Sequence, residues 1–156
     1  MAEWYWFNNA ADNKWTSANW NAQGDGLGAW GTPAEGDSAY VADAYSADDI
    51  TVDGATAALA LLDVQAYTGQ ITVSNAITTA EFPVSASDAA TFAGAANINA
   101  ASPFAVTTPA AVWAGYTGTM VVNGGAGDWA IGGYGTETWF PAVQINNNPT
   151  SLAANS

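Results

Sequence analysis

Carboxylates are almost the only side chains in this sequence able to do acid–base chemistry. Fourteen Asp and Glu residues face one basic side chain, Lys14, and the 156 residues include neither His nor Cys. Two acids ~5–9.5 Å apart can cleave a glycosidic bond. Asp37, Asp43, Asp48, Asp49, Asp53 and Asp63 offer material for such a pair, but in no recognisable catalytic spacing. An active acid usually has Arg, His or Lys beside it, and those are missing. Without His or Cys there is no Ser-His-Asp triad, no thiol nucleophile, no disulfide, and no zinc or copper site of the usual ligands. The expectation is therefore no enzyme, no catalytic residues and no cofactor.

Two further patterns could bind something. Asn123-Gly124-Gly125-Ala126-Gly127-Asp128 resembles the Gly-Gly-x-Gly-x-Asp calcium nonapeptide. Asp128 falls one position early and there is no second copy, so a Gly-rich turn before a strand is the better reading and no metal site is expected. The second pattern is aromatic. The chain has eight Trp residues, and Trp4, Trp6, Trp15, Trp20 and Trp30 all fall in its first 45 positions. They could seat on a partner, where Trp is enriched at hot spots, or stack on sugar rings. The plainer reading is a cap folded over the open apolar end of a β structure.

The charge arithmetic excludes whole classes of partner. A net charge of −13 with one cation cannot neutralise phosphates, which argues against nucleic acid and against anionic membrane surfaces. Charged residues make up only 10% of the chain and hydrophobic ones 49%, so this is not an acidic disordered tail. The carboxylates must be solvated, accept backbone hydrogen bonds, bind cations, or meet a basic surface on another molecule. Solvation is the expectation for most of them. The start, Met1-Ala2-Glu3-Trp4, has neither the basic nor the apolar region of a signal peptide, and the run Ala57 to Leu62 is too short to span a bilayer.

The elements that position these residues read as all-β. Short pieces rich in β-branched residues are bounded by Gly, Asn, Asp, Ser or Pro: Ile50-Thr51-Val52, Leu59 to Val64, Ile71-Thr72-Val73, Phe82 to Val84, Phe104 to Val106, Val112-Trp113 and Met120-Val121-Val122. No window sustains a helical stripe. Ala66-Tyr67-Thr68-Gly69-Gln70-Ile71-Thr72-Val73 aligns with Gly115-Tyr116-Thr117-Gly118-Thr119-Met120-Val121-Val122 at an offset of 49 residues. Strands every ~8–12 residues suit a short β-helix or solenoid-like body, with a β-sandwich or jelly roll as the alternative. The organisation that follows is an aromatic-rich N-terminal cap or docking segment (1–45), a β body with the 49-residue repeat (46–140), and a polar C-terminal tail (141–156) that would be mobile alone.

Residues 15 to 41 carry a resemblance. Trp15-Thr16-Ser17-Ala18-Asn19-Trp20, then Pro33-Ala34-Glu35-Gly36-Asp37 and Val41, followed by Leu59 to Gly69, resemble a segment found in two groups. These are the β-helical passenger regions of bacterial autotransporters and a set of tailed-phage virion proteins described as structural or head decoration proteins. The likeness covers roughly residues 4 to 75. Autotransporter passengers are exported and much longer, so the phage group fits better. The resemblance implies a virion structural protein made in the host cytoplasm. It would decorate or cement the outer capsid surface as a homotrimer, with the major capsid protein as partner. A carbohydrate-binding module or a fibre or surface-layer subunit is the alternative.

Overall fold

The computed structural model describes residues 1–64, 66–83, 90–101, 105–106, 113, 115–123, 128–132, 142–146 and 151–155, and gives the backbone alone for 105–106, 128–132, 143, 145 and 151–155. No α-helix occurs among the described residues, and the chain winds into a β-solenoid. Its strands are β1 (Glu3–Trp6), β2 (Trp20–Asn21), β3 (Trp30–Gly31), β4 (Ser38–Tyr40), β5 (Ile50–Thr51), β6 (Ala58–Asp63), β7 (Gln70–Val73) and β8 (Ile77–Glu81). They continue with β9 (Thr91–Gly94), β10 (Ile98–Ala100), β11 (Ala105–Val106), β12 (Gly115–Tyr116), β13 (Thr119–Val122), β14 (Asp128–Gly132), β15 (Ala142–Ile145) and β16 (Ser151–Asn155).

Successive turns stack in parallel. A nine-stranded sheet runs β15-β13-β10-β8-β6-β4-β1-β2-β3, a four-stranded sheet runs β12-β9-β7-β5, and β11-β14-β16 form a third. Register partners are 21 residues apart at Ile50, Ile71 and Phe92, 22 apart at Ile98 and Met120, and 23 apart at Ser38 and Leu61. That period sets one turn. It also stacks like residues into columns: Ile77 pairs with Ile98 and Ile98 with Met120, all three buried. Each such side chain removed from water contributes about 1.5–3 kcal/mol. A second aromatic group fills the body, where Phe92 stacks on Trp113 at 4.4 Å and touches Phe82 at 5.8 Å.

The alternating pieces of the sequence match β5, β6, β7 and β13 closely. Of the piece expected at 82–84, Phe82 is a buried anchor just beyond β8 (Ile77–Glu81), and Val84 lies outside the described residues. In the polar C-terminal stretch the backbone joins the stack, β15 beside β13 and β16 beside β14, so its N–H and C=O groups are paired along the ladder.

The 49-residue similarity is not the solenoid period. Val73, Gly94 and Tyr116 occupy one column, so two turns span 43 residues. What recurs is a corner. The Tyr67 hydroxyl donates to the Asp48 carbonyl at 2.6 Å, and the Tyr116 hydroxyl to the Ala96 carbonyl at 2.8 Å. In both corners the ring folds back over the glycine two residues later, and a Cβ at Gly69 or Gly118 would collide with that hydroxyl. One corner feeds β7 in the four-stranded sheet and the other feeds β13 in the nine-stranded sheet. The motif is a local device used on two different edges.

Candidate functional site: the capped end and its outer aromatic face

The first 45 residues are continuous with the body. Strand β1 pairs in parallel with β4 and so adds one more turn to the main sheet. The β2–β3 hairpin then runs antiparallel along the outer edge of β1. On the other sheet, Trp15 N–H donates to the Thr51 carbonyl at 2.9 Å and Thr51 N–H to the Asn13 carbonyl at 2.7 Å, which covers the edge of β5. The N-terminal segment therefore covers the β1 edge of one sheet and the β5 edge of the other, where unpaired backbone would otherwise invite association, and leaves the two-residue β3 as the outermost strand.

Strand parity decides what each aromatic does. Trp6 and Trp20 are fully buried and Trp15 nearly so, with Trp20 packed edge-on to Trp6 at 5.2 Å and to Trp15 at 4.5 Å. The indole N–H of Trp6 donates to the Asp48 carbonyl and that of Trp20 to the Trp15 carbonyl. These three are core, and they have no surface left to seat on a partner. Trp4 is half-buried against the core and donates from Nε1 to Asp37 at 2.9 Å. Trp30 is 41% exposed and meets Phe7 edge-on at 5.9 Å.

The residues that carry the resemblance prove to be scaffolding. Asn19 is buried: its side-chain carbonyl accepts from Ala10 N–H, and its amide donates to Asp12 and the Lys14 carbonyl. Asp37 accepts three hydrogen bonds, from Ala2 N–H at 2.6 Å, Trp4 Nε1–H, and Ala34 N–H at 3.1 Å. Other carboxylates tie the cap and neighbouring turns together. Asp43 accepts from the backbone and hydroxyl of Thr68, Asp53 from both groups of Thr16, Asp49 from Gln70 N–H, and Asp48 from Asn8 and Ser46. Asp43, Asp48 and Asp49 are exposed, as the solvation expectation has it, and they accept from backbone, amide and hydroxyl donors as well. Hydrogen bonds from Ser17 and Asn19 hold the Asp12 carboxyl below the usual carboxylate range. The Ala2 N–H does the same for Asp37, and the side chains of Asn8 and Ser46 for Asp48. At Asp53 burial pushes upward, but the Thr16 donors outweigh it.

The outward side of the same strands holds a set of aromatics that the sequence reading passed over. Tyr5 and Tyr40 stack at 5.1 Å with ring planes 16° apart, and Tyr45 packs against Tyr5 at 5.0 Å and Phe7 at 5.6 Å. All four are half-buried. The Tyr5 hydroxyl donates to Glu3 at 2.8 Å, and that bond, with burial and the Glu3 charge, pushes its pKa up to about 12. Tyr40 is also raised, by burial first and then by the charges of Glu3 and Asp63. Beside this stack lies a surface notch of about 150 Å³ lined by Tyr40, Val41, Ala42, Tyr45 and Asp63. The signal was present as alternation: in Glu3-Trp4-Tyr5-Trp6-Phe7 the even positions face in and the odd positions face out.

Among the described residues no group of acids is arranged to hold a metal ion, and no helix is long and apolar enough to cross a membrane. Gly124 to Gly127 of the calcium-like stretch lies outside the described residues, and Asp128 opens β14. Comparison with known proteins found no matching family model, no matching curated protein and no matching solved structure.

Proposed function

We propose that this chain is a non-catalytic structural protein that docks on a larger particle, as a decoration or cement protein on the outer surface of a bacteriophage capsid. In this reading it is made in the host cytoplasm and assembles as a homotrimer against the major capsid protein. The observation that carries the proposal is the capped end. Its apolar edge is sealed by Trp6, Trp15 and Trp20, while an aromatic and acidic surface of Tyr5, Tyr40, Tyr45, Trp30 and Glu3 is presented outward. A stacked β body suits a mechanical role, and fourteen acids with one base favour a basic surface on another molecule. The Trp-x-x-x-Asn-Trp and Pro-x-x-Gly-Asp resemblance points to the same class.

The test is compositional. Purified virions should contain this chain in a fixed ratio to the major capsid protein, and the isolated chain should sediment as a trimer. A stable monomer that associates with no capsid protein would overturn the proposal.

One observation keeps a second reading in view: half-exposed aromatic rings beside carboxylates also suit a carbohydrate-binding surface. Because Trp6, Trp15 and Trp20 are sealed, oligosaccharide binding at the capped end would be reported by Trp30. Quenching of that fluorescence by oligosaccharide, lost in Trp30→Phe, would favour the carbohydrate reading. Quenching by capsids alone favours decoration.

A further inference from the structure

Tyr5, Tyr40 and Asp63 are register partners on three adjacent strands, so they form one outward-facing column. Strands in a ladder lie about 4.8 Å apart, close to the stacking distance of aromatic rings. Tyr5 and Tyr40 use that match and stack at 5.1 Å. The next position holds an aspartate where a third ring would continue the stack. The notch lined by Tyr40, Val41, Ala42, Tyr45 and Asp63 lies at this position.

The chemistry of the walls selects the occupant. The charges on this side, Glu3 and Asp63, are both negative and act on the Tyr40 phenol. A phosphate, sulfate or carboxylate ligand would be repelled. The volume, about 150 Å³, falls well below the ~300–1,000 Å³ of pockets that enclose a drug-sized ligand or cofactor. It suits the head group of one side chain. A sugar needs several hydrogen-bonding partners as well as a ring face, and the Tyr5 hydroxyl is already committed to Glu3. A planar cation fits on each count: a guanidinium stacks on an aromatic face and pairs with a carboxylate in the same plane.

We propose that the notch between Tyr40, Tyr45 and Asp63 receives the guanidinium of an arginine presented by a partner protein, completing the stack begun by Tyr5 and Tyr40. The arginine must come from a different protein, because Lys14 is the sole basic side chain of this chain. A second copy therefore cannot supply it. The inference rests on the docking reading above and names the contact that reading lacks.

The test is a titration of the isotope-labelled full chain with N-acetyl-L-arginine amide, followed by amide NMR shifts. Saturable shifts are expected at Tyr40, Val41, Ala42, Tyr45 and Asp63, weakening as salt is raised. Asp63→Asn should weaken binding about tenfold, the outcome of removing one partner from a partly exposed charge pair. Tyr45→Ala should weaken it as well, and an unchanged shift pattern elsewhere would show that both variants remain folded. Absence of saturable shifts at the notch overturns the proposal. So does equal binding of N-acetyl-L-lysine amide, or preferential binding of glucose or cellobiose there. Failure here with the chain still found on virions sinks the notch alone. Arginine binding by a chain absent from virions sinks the capsid reading alone.

Discussion

Neighbouring residues of one short strand carry the contrast that organises this molecule. On β1, Trp6 is fully buried and belongs to the sealed group with Trp15 and Trp20, while Tyr5 lies on the other side, stacked on Tyr40. Both groups are aromatic, and both come from the first 45 residues. One holds the solenoid end shut and the other gives that end a surface. An aromatic-rich segment is thus two populations sorted by strand parity, and only the outward one can meet a partner.

The largest expected effect tests the inner group. Trp20→Ala should cost about 3–5 kcal/mol, since it empties a closed site between Trp6 and Trp15, and urea unfolding reads it directly. Trp30→Ala should cost no more than about 1 kcal/mol, the worth of one edge-on contact with Phe7. Equal losses in the two variants would erase the distinction between core and surface.

Asp37→Ala comes next. It strips the acceptor from Ala2 N–H, Trp4 Nε1–H and Ala34 N–H, and the unfolding midpoint should drop by the equivalent of about 1–3 kcal/mol. A midpoint unchanged from the parent would show that the cap does not depend on this carboxylate.

Acid should loosen the cap before the body. Asp12, Asp37, Asp48 and Asp53 have folded pKa values below their unfolded value of about 3.9. Their contribution is complete above the unfolded pKa and is lost as pH falls through the lower folded values. Hydrogen exchange below pH 4 should therefore accelerate first in residues 1–45, measured in added salt so that the relieved repulsion among carboxylates does not mask the loss. Uniform acceleration along the chain would count against carboxylate latches at this end.

The smallest effect isolates the outer face. Tyr5 should titrate at about 12, and Glu3→Gln should bring it back toward its ordinary value of 10.0 with little change in stability. Ultraviolet difference titration follows the phenol, and an unmoved Tyr5 would remove Glu3 from the site.

The sequence alone determined the β class, the short strands and the turns. Runs such as Ile50-Thr51-Val52 and Ile71-Thr72-Val73, bounded by Asp-Gly and Ser-Asn, leave few other conformations. It also determined what the chain lacks, since no fold can create the His, Cys or Arg that triads, thiol chemistry and phosphate binding require. The solenoid period was not legible. The similarity at 49 residues is a reused Tyr-Thr-Gly corner, and the true spacing of 20 to 25 residues is written only in weak columns such as Ile77, Ile98 and Met120. Nor did composition show how the acids are used. Asp43 meets Thr68, and Asp53 meets Thr16, across 25 and 37 residues of chain. Only the stacking of turns brings such pairs within hydrogen-bonding distance. The notch has the same origin: Tyr5, Tyr40 and Asp63 are scattered in sequence, and the ladder spacing alone sets them in one column.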